Sequence, residues 1–464
     1  MKKFYTYKNA VTLILLVATP AYLSAQKKYR NDWSSIDSRP VPAWFTDAKF
    51  GIFIHWGLYS VPAWAPTDKS LPTGAKYSEW YWNQLVNDST SVGEAFRNFH
   101  NSVYGEKFKY QDFVNEFKAE LFNPKDWAQL FKASGAKYVV LTSKHHEGFT
   151  LWPSEQAWNW NSQDVGPHRD LVGDLGKAVK NAGLKMGYYY SLYEWFNPLY
   201  HSDINRYVDE HMIPQLKDLV VKYEPDIVWT DGEWEHPSKT WKSTTFLSWL
   251  YNDSPVKNQV VVNDRWGKDT RSKHGGFYTT EYDEKKAAAE TYSQHPWEEC
   301  RGVGSSFGYN RAENLDDYLT SDQLIHMLID KVGSGGNLLL DIGPRADGTI
   351  PVIMQQRLTD IGSWLGKNGE AIYHTQVWKQ KENVQQPGVY FTKNGKDGFV
   401  LCTKLPFADI VIKNLVNEPV LSIPGSDEKI VHAYKNGVLT IKAGSFNAHR
   451  NTNTWVIKLK DVIN

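Results

Sequence analysis

The sequence feature that most constrains the fold is a regular alternation of short apolar runs with helical patterns over most of the chain. The apolar runs are predicted as strands at 50–55, 138–142, 184–190, 226–230, 259–263, 277–282 and 337–341. The helical patterns lie at 127–134, 170–181, 207–223, 244–251, 321–332 and 352–365. Alternation at this spacing predicts βαβ units and a parallel sheet. Because no Gly-x-Gly-x-x-Gly follows the first strand, a (β/α) barrel over 26–371 is favoured over a dinucleotide-binding sheet.

The pattern changes after residue 371. Helical periodicity ends, and short alternating runs separated by turn residues lie at 388–392, 398–402, 410–412, 429–432, 438–442 and 455–458. Such runs predict a small antiparallel β-sandwich over 372–464. No long linker separates the two regions, so we expect them to pack directly against each other.

The first 25 residues have the pattern of a secretory signal peptide. Lys2, Lys3 and Lys8 give a positive start, an apolar run fills 10–23, and small residues end the segment at Ala25. The apolar run has the length of a signal-peptide core and is too short to predict a membrane span. We therefore predict cleavage after Ala25 and an exported protein, periplasmic or extracellular, whose mature form does not attach to a membrane.

Composition narrows the classes of partner. Lys plus Arg equals Asp plus Glu at 52 each, so the chain has no overall basic field for nucleic acid or anionic lipid. The two cysteines, Cys300 and Cys402, are far apart, which favours two free buried thiols over a disulfide and excludes a cysteine-based metal site. Aromatic residues are abundant, with 20 Trp, 26 Tyr and 20 Phe. Many will be core, but aromatic faces with polar edges also suit sugar rings.

Polar or ionisable residues follow almost every predicted strand. In a barrel these positions share one face, where active sites are built. A full ring of such residues is hard to explain by packing alone and predicts a polar site. Its candidate members are His55, His145, His146, Tyr190, Trp229, Asp231, Arg265 and Glu281.

His145 and His146 raise the possibility of a metal site. Adjacent residues on an extended segment point in opposite directions, so the pair would chelate one ion poorly. Zinc spacings such as His-Glu-x-x-His are missing, and no metal is predicted. We expect the pair to donate to ligand hydroxyls, although a core histidine bonded to backbone would explain at least one of them. Arg265 is explained equally well as an ion-pair partner of Asp264 or as a member of the ring.

Carboxylates among aromatic residues suggest glycoside hydrolysis, which needs a nucleophile or base and a proton donor. Asp231 is the better nucleophile candidate, because a short side chain at the end of a strand is rigidly placed. Glu233 and Glu235 come after Gly232. They are predicted to be acids of a solvated loop.

The chain resembles the retaining α-L-fucosidases of glycoside hydrolase family 29 over nearly all of its length after the signal peptide. The segments that carry this resemblance lie at 49–57, 78–81, 144–149, 229–234, 261–266, 297–300, 306–309 and 336–340. The stretch 246–257 is especially similar to the animal lysosomal members, which places the chain in the broad-specificity branch.

This resemblance implies an irregular (β/α)8-like TIM barrel followed by the β-sandwich. It implies that Asp231 is the nucleophile and that Glu281 is the acid/base, with Glu298 and Glu290 as alternatives. The two carboxyl groups of a retaining enzyme lie about 5–5.5 Å apart. The implied sugar pocket comprises Phe53, His55, Glu79, Trp80, His145, His146, Tyr190, Trp229, Arg265 and Phe307.

The resemblance implies no metal or organic cofactor, and a fucosylated oligosaccharide or glycoconjugate as substrate. Two alternatives stay open at this point. One is a related retaining glycosidase acting on another sugar, such as a galactoside. The other is a catalytically dead barrel that binds carbohydrate. The sequence also leaves a homo-oligomer open.

Overall fold

The computed structural model describes residues 1, 27–282, 295–380, 386–446 and 454–463. The predicted signal peptide and Glu290 therefore lie outside the described residues. Within the described ranges, no helix is long and apolar enough to cross a membrane.

The described part of the barrel contains a curled sheet of eight parallel strands. In chain order, β1 to β8 are Phe50–Ile54, Tyr138–Lys144, Lys185–Ser191, Ile227–Asp231, Val261–Val262, Tyr278–Glu281, Trp297–Gly302 and Asn337–Ile342. Their order across the sheet is β5-β4-β3-β2-β1-β8-β7-β6. The predicted barrel is thus confirmed, and β7 is a strand that the sequence pattern did not predict.

The barrel has a seam between β5 and β6. These two strands end the ladder on opposite sides and do not pair with each other in it. Backbone hydrogen bonds just beyond them bridge the gap, from Phe277 N to Val262 O (3.0 Å) and from Gly276 N to Asn263 O (3.3 Å). The barrel is therefore closed at the seam by a loop contact.

Strand residues alternate between two apolar layers, as the period of two requires. Phe53, Tyr189 and Trp229 belong to the cluster that fills the barrel interior. Their neighbours Tyr190 and Val228 belong to the larger cluster between the strands and the surrounding helices. This alternation decides which side chain of each strand reaches the end of the barrel.

Helices surround the sheet. In the part of the chain that the structure describes, the α-helices are Trp33–Ile36, Ala43–Ala48, Tyr81–Asn87, Ser91–Val103, Pro124–Ala133, Leu171–Asn181, Pro198–Ser202, Ile204–Arg206, Ile213–Tyr223, Ser243–Asn252, Ser321–Gly333 and Val352–Asn368. The helix predicted at 207–223 begins with a π-helical turn, Tyr207–Met212. Pro214 follows this turn and has no N–H for the ladder, which accounts for the change of hydrogen-bond register.

The C-terminal region forms two antiparallel sheets. Its strands, β9 to β16, are Gln376–Val377, Val389–Asn394, Asp397–Cys402, Ile410–Ile412, Val420–Ser422, His432–Lys435, Val438–Ile441 and Trp455–Lys460. Five of them form the order β13-β16-β11-β10-β9, and three form β12-β15-β14. The sheets enclose a separate apolar cluster. Hydrogen bonds from Tyr390 to Asp330 (2.7 Å) and from Trp364 to Thr454 (2.9 Å) join this region to the barrel.

Cys300 and Cys402 are both free and buried, as predicted.

Candidate active site

A cavity of about 480 Å³ opens at the carboxyl ends of the barrel strands. This volume lies within the range of small-molecule sites, about 300–1,000 Å³. Most of the side chains predicted from the sequence line it: Phe53, His55, Glu79, Trp80, His145, His146, Trp229, Asp231, Arg265, Glu281 and Phe307.

Asp231 is the last residue of β4 and is held by two donors. Arg265 Nη1 donates to its Oδ1 at 2.7 Å, and the Tyr189 hydroxyl donates to its Oδ2 at 2.9 Å. Burial alone would raise the pKa of Asp231, but the Arg265 guanidinium and the hydrogen bonds outweigh it, so the pKa lies below its usual value. Asp231 is therefore ionised at neutral pH.

Arg265 connects Asp231 to a second carboxylate. Its Nη2 donates to Glu281 Oε2 at 2.9 Å, while its Nε donates to Thr279 at 3.0 Å. Its guanidinium also lies over the Trp229 ring, 4.5 Å from the centroid. The structure thus decides between the two interpretations of Arg265: it faces the ring of site residues. One planar guanidinium fixes the two carboxylates relative to each other.

Both adjacent histidines face the cavity. Strand β2 ends at Lys144, and a turn follows in which the rings of His145 and His146 lie 4.0 Å apart. The expectation that they point in opposite directions was wrong, because it assumed an extended backbone. His146 Nδ1 lies 2.7 Å from Ser191 Oγ. Burial, with His145 next, lowers the pKa of His146 well below its ordinary value, so its ring is neutral.

His55, which follows the neighbouring strand β1, is anchored by Asp341. Its Nδ1 lies 2.6 Å from Asp341 Oδ1, and its ring stacks on Phe307 with the centroids 4.9 Å apart. Burial lowers the pKa of His55 well below its ordinary value, with His145 adding to the effect. Neutral imidazoles can donate to or accept from sugar hydroxyls without a net charge. Among the described residues, no group of three or more His, Cys, Asp or Glu is arranged to hold a metal ion.

Glu79 lies on the 3₁₀ turn Ser78–Trp80. Its Oε2 accepts hydrogen bonds from Gly308 N (2.9 Å) and the Ser306 hydroxyl (3.1 Å), which connects it to the segment that carries Phe307. Burial raises the pKa of Glu79. Trp80, next to it, packs against Trp234 at 5.8 Å and forms an aromatic wall. The cavity therefore combines fixed polar groups with flat apolar faces.

Comparison with known proteins identifies the family. The family model described as alpha-L-fucosidase matches residues 16–370. The chain belongs to the alpha-L-fucosidase family. The tissue alpha-L-fucosidase of Rattus norvegicus is 45% identical over 419 residues, covering 88% of this chain and 86% of the rat protein. The alpha-L-fucosidase of Dictyostelium discoideum is 48% identical over 403 residues, covering 84% and 83%.

Solved structures of the alpha-L-fucosidase family agree. The Thermotoga maritima alpha-fucosidase in complex with fucose is 37% identical and has a TM-score of 0.75, covering 93% of this chain and all of that one. The same enzyme in complex with a mechanism-based inhibitor also has a TM-score of 0.75 and 37% identity, with the same coverage. The resemblance stated from the sequence motifs is thereby confirmed.

One site residue taken from the family resemblance lies elsewhere. Tyr190 points out of the barrel, and its hydroxyl donates to Gln215 at 2.8 Å. Tyr189 lines the cavity instead. The reason is the strand register: β3 and β4 pair Tyr189 with Trp229 and Ser191 with Asp231, so these residues share the inner face. The pairing register between β3 and β4 therefore decides which of the three tyrosines faces inward.

The alternatives to Glu281 also have definite places. Glu298, on β7, does not line the cavity: it accepts hydrogen bonds from the Tyr138 hydroxyl and from Trp229 Nε1, the latter at 3.0 Å. Burial raises the pKa of Glu298 to about 7. Among the described residues, Glu281 is the acid/base candidate that shares the cavity with Asp231.

The loop after β4 departs from the sequence interpretation. Glu235 is exposed, as expected, but Glu233 is 1% exposed. Gly232 adopts a φ of 73°, a conformation that glycine allows at little cost, and turns the chain back toward the barrel. The cavity also contains residues that sequence reasoning did not name, among them Tyr77, Gln84, Trp234, Arg271 and Tyr282. They come from loops whose paths no periodicity predicts.

Proposed function

We propose that this protein is a retaining exo-glycosidase that releases L-fucose from α-L-fucosides of glycans or glycoconjugates. The observation that carries the proposal is the pair of carboxylates, Asp231 and Glu281, held by one arginine at the bottom of a sugar-sized cavity. Family membership supports it, because the curated relatives carry the name alpha-L-fucosidase. The Thermotoga maritima structure with fucose supports the choice of sugar.

The first chemical step forms a covalent intermediate. Asp231 attacks the anomeric carbon, so that an oxygen–carbon bond forms as the glycosidic carbon–oxygen bond breaks. Glu281 gives its proton to the departing oxygen, and the aglycone leaves as an alcohol. The ionised state of Asp231, which Arg265 stabilises, provides the nucleophile. The product of this step is a fucosyl ester of Asp231.

The second step reverses these roles. Glu281, now a carboxylate, removes a proton from water, and the water oxygen displaces Asp231 from the anomeric carbon. Two inversions give net retention. Once Asp231 is an ester it carries no charge, so Arg265 interacts mainly with the Glu281 carboxylate. That interaction stabilises the base form at the stage when a base is needed.

The remaining residues bind the sugar. His55, His145, His146 and Glu79 supply polar atoms for the ring hydroxyls. Phe53, Phe307 and Trp80 provide apolar faces, which suit the methyl group that distinguishes fucose from a plain hexose. A site that buries polar groups discriminates strongly against a sugar that leaves them unpaired.

Turnover of matched chromogenic substrates tests the proposal. We expect hydrolysis of nitrophenyl α-L-fucoside, with the released fucose first appearing as the α-anomer by NMR. Nitrophenyl galactosides, which share ring stereochemistry but differ at C5, are the control. Turnover of galactoside without fucoside would support the other glycosidase. Fucose binding without any turnover would support a catalytically dead barrel. Either result would contradict the proposal.

We further propose that residues 1–25 direct export to the periplasm or cell exterior and are removed. The positive start and the apolar run at 10–23 support this. Mass spectrometry of the exported protein should give an N-terminus at Gln26. Retention of the first 25 residues in the exported protein would contradict it.

A further inference from the structure

Glu233 is a buried acid for which the reaction above has no use. Its side chain is 1% exposed, and neither of its carboxylate oxygens accepts a hydrogen bond from another residue. Burying a charged carboxylate without partners is costly. Burial, together with the nearby charge of Asp231, raises the pKa of Glu233 to about 7. Such a residue two positions after the nucleophile requires an explanation.

The nearest cation to Glu233 is shared with Glu281. Arg271 Nε lies 3.8 Å from Glu233 Oε1, and Arg271 Nη2 lies 3.9 Å from Glu281 Oε2. Both distances are too long for a hydrogen bond, so Arg271 is committed to neither acid. Its hydrogen bond is to the Thr279 hydroxyl, at 3.4 Å. With its side chain 33% exposed, Arg271 has room to move toward either carboxylate.

These contacts form a chain of alternating charges: Asp231, Arg265, Glu281, Arg271 and Glu233. This chain of charges contains three carboxyl groups and two guanidiniums, so a single bound proton makes its net charge zero. Asp231 is held ionised by Arg265, whereas burial raises the pKa of Glu233. The other ionisable groups that act on members of this chain of charges are Asp264, Cys300, His55, Tyr189, Glu298 and the Asp231-facing His146.

We propose that Glu233 is a positioning residue that competes with Glu281 for Arg271 and thereby keeps a proton available on Glu281. When Glu233 is a carboxylate, it draws Arg271 toward itself, and Glu281 loses a cation that would favour its ionised form. When Glu233 is neutralised or removed, Arg271 is free to pair with Glu281 and favours its carboxylate. The inference rests on the proposed acid/base role of Glu281.

The test is the pH dependence of kcat/KM on an alkyl α-L-fucoside, whose poor leaving group needs a general acid. Glu233→Gln should move the alkaline limb to lower pH, by about 0.5 to 1 unit for charges coupled through a few ångströms of protein. Arg271→Gln should move it to higher pH by a similar amount. The double variant should behave as Arg271→Gln does, because Glu233 acts on Glu281 through Arg271; a return to the wild-type position would mean that the two residues act independently and would contradict the competition. Opposite signs from the two single variants distinguish competition from a structural defect, which lowers rates without moving the limb.

Glu235→Gln is the matched control, because Glu235 lies on the same loop but is exposed and outside the chain of charges. It should leave the limb unchanged. An alkaline limb that stays in place or rises in Glu233→Gln would overturn the proposal. If that variant does not fold, a limb that fails to rise in Arg271→Gln overturns it alone. Full activity of Glu281→Ala on the same substrate would instead remove the acid/base role itself, so the two failures are distinguishable.

Discussion

The barrel contains two buried acids, Asp231 at the cavity and Glu298 below it, whose pKa values are shifted in opposite directions. Each accepts a hydrogen bond from a buried tyrosine, Tyr189 or Tyr138. The second donor differs. Asp231 has the guanidinium of Arg265, whereas Glu298 has the indole N–H of Trp229. The pKa of Asp231 is lowered, and burial raises that of Glu298 to about 7.

The difference shows that burial alone does not make a carboxyl group reactive. A tyrosine and an indole satisfy the oxygens of Glu298 without offsetting its charge, so the neutral acid is the favoured state. The arginine offsets the charge of Asp231 and keeps it ionised close to apolar surface. Trp229 contacts both environments: its ring face lies against the Arg265 guanidinium, and its indole N–H donates to Glu298.

The largest expected effect on kcat/KM comes from replacing Asp231, the ionised acid of the two. Asp231→Ala should lower kcat/KM on nitrophenyl α-L-fucoside by about 10⁴-fold or more, because no covalent intermediate can form. Azide should restore turnover and give the azide product of inverted configuration. Asp226, just before the same strand, offers a matched control: Asp226→Ala loses its contact with Lys185 (2.8 Å) and should keep its activity. Equal losses in both variants would indicate damage to the strand.

Replacing Glu281 and Glu298 in turn should show which of the two residues acts as the acid/base. Glu281→Ala should lower kcat/KM on an alkyl fucoside by about 10²–10⁴-fold, because the leaving oxygen is no longer protonated. On nitrophenyl α-L-fucoside, whose leaving group departs without an acid, azide should restore turnover with retained configuration, since it attacks the fucosyl ester. Glu298→Ala should not respond to azide. If rescue occurs in Glu298→Ala alone, Glu298 is the acid/base and the proposed assignment is wrong.

Glu298, the neutral acid of the two, should make the stability of the folded protein depend on pH. The folded state raises the pKa of Glu298 from 4.5 to about 7, so the folded protein binds more protons than the unfolded chain between these values. Stability from this residue is therefore lost as pH rises from about 4.5 to about 7, by up to about 3 kcal/mol. Glu298→Gln cannot ionise and should gain in Tm over the wild type from pH 5 to pH 7.5. A Tm difference independent of pH would mean that Glu298 is not neutral in the folded state.

The smallest effects distinguish the two neighbouring tyrosines. Tyr189→Phe removes a donor from Asp231 and should lower kcat/KM by about 10- to 100-fold, consistent with about 1.5–3 kcal/mol for a hydrogen bond to a charged group. Tyr190→Phe removes the bond to Gln215 and should cost about 1 kcal/mol of stability without changing kcat/KM. Kinetics and thermal unfolding on the same preparations would check both. A kinetic defect confined to Tyr190→Phe would reverse the assignment made from the strand register.

The elements that could be predicted from sequence are those whose signal is local. The apolar runs located seven barrel strands, and the residues after them located seven of the cavity's side chains. Strand β7 was missed because Glu298 and Glu299 interrupt its apolar pattern. Those glutamates are tolerated because the Tyr138 hydroxyl from β2 and the Thr280 hydroxyl from the neighbouring strand β6 donate to them. Partners of this kind are distant in the chain, and no local pattern reveals them.

The same reason explains the errors at the site. The assignment of Tyr190 failed by one residue, which in a strand means the opposite face. Glu233 was taken for a solvated acid because charged loop residues usually are. Its burial follows from the turn at Gly232, which is a property of the folded loop. Asp231 was identified correctly as the last residue of an apolar strand, since a strand end is visible in the sequence.

The seam between β5 and β6 is a break in the strand ladder, and the two carboxylates lie on either side of it. Asp231 sits on a strand that is laddered to a neighbour on each side, whereas Glu281 sits on an edge strand beyond the gap. Arg265, which follows β5, spans that gap by donating hydrogen bonds to both carboxylates. The spacing between Asp231 and Glu281 is thus held by the Arg265 side chain and by the loop 263–277, so a change in the length of that loop would move Glu281 while leaving Asp231 in place.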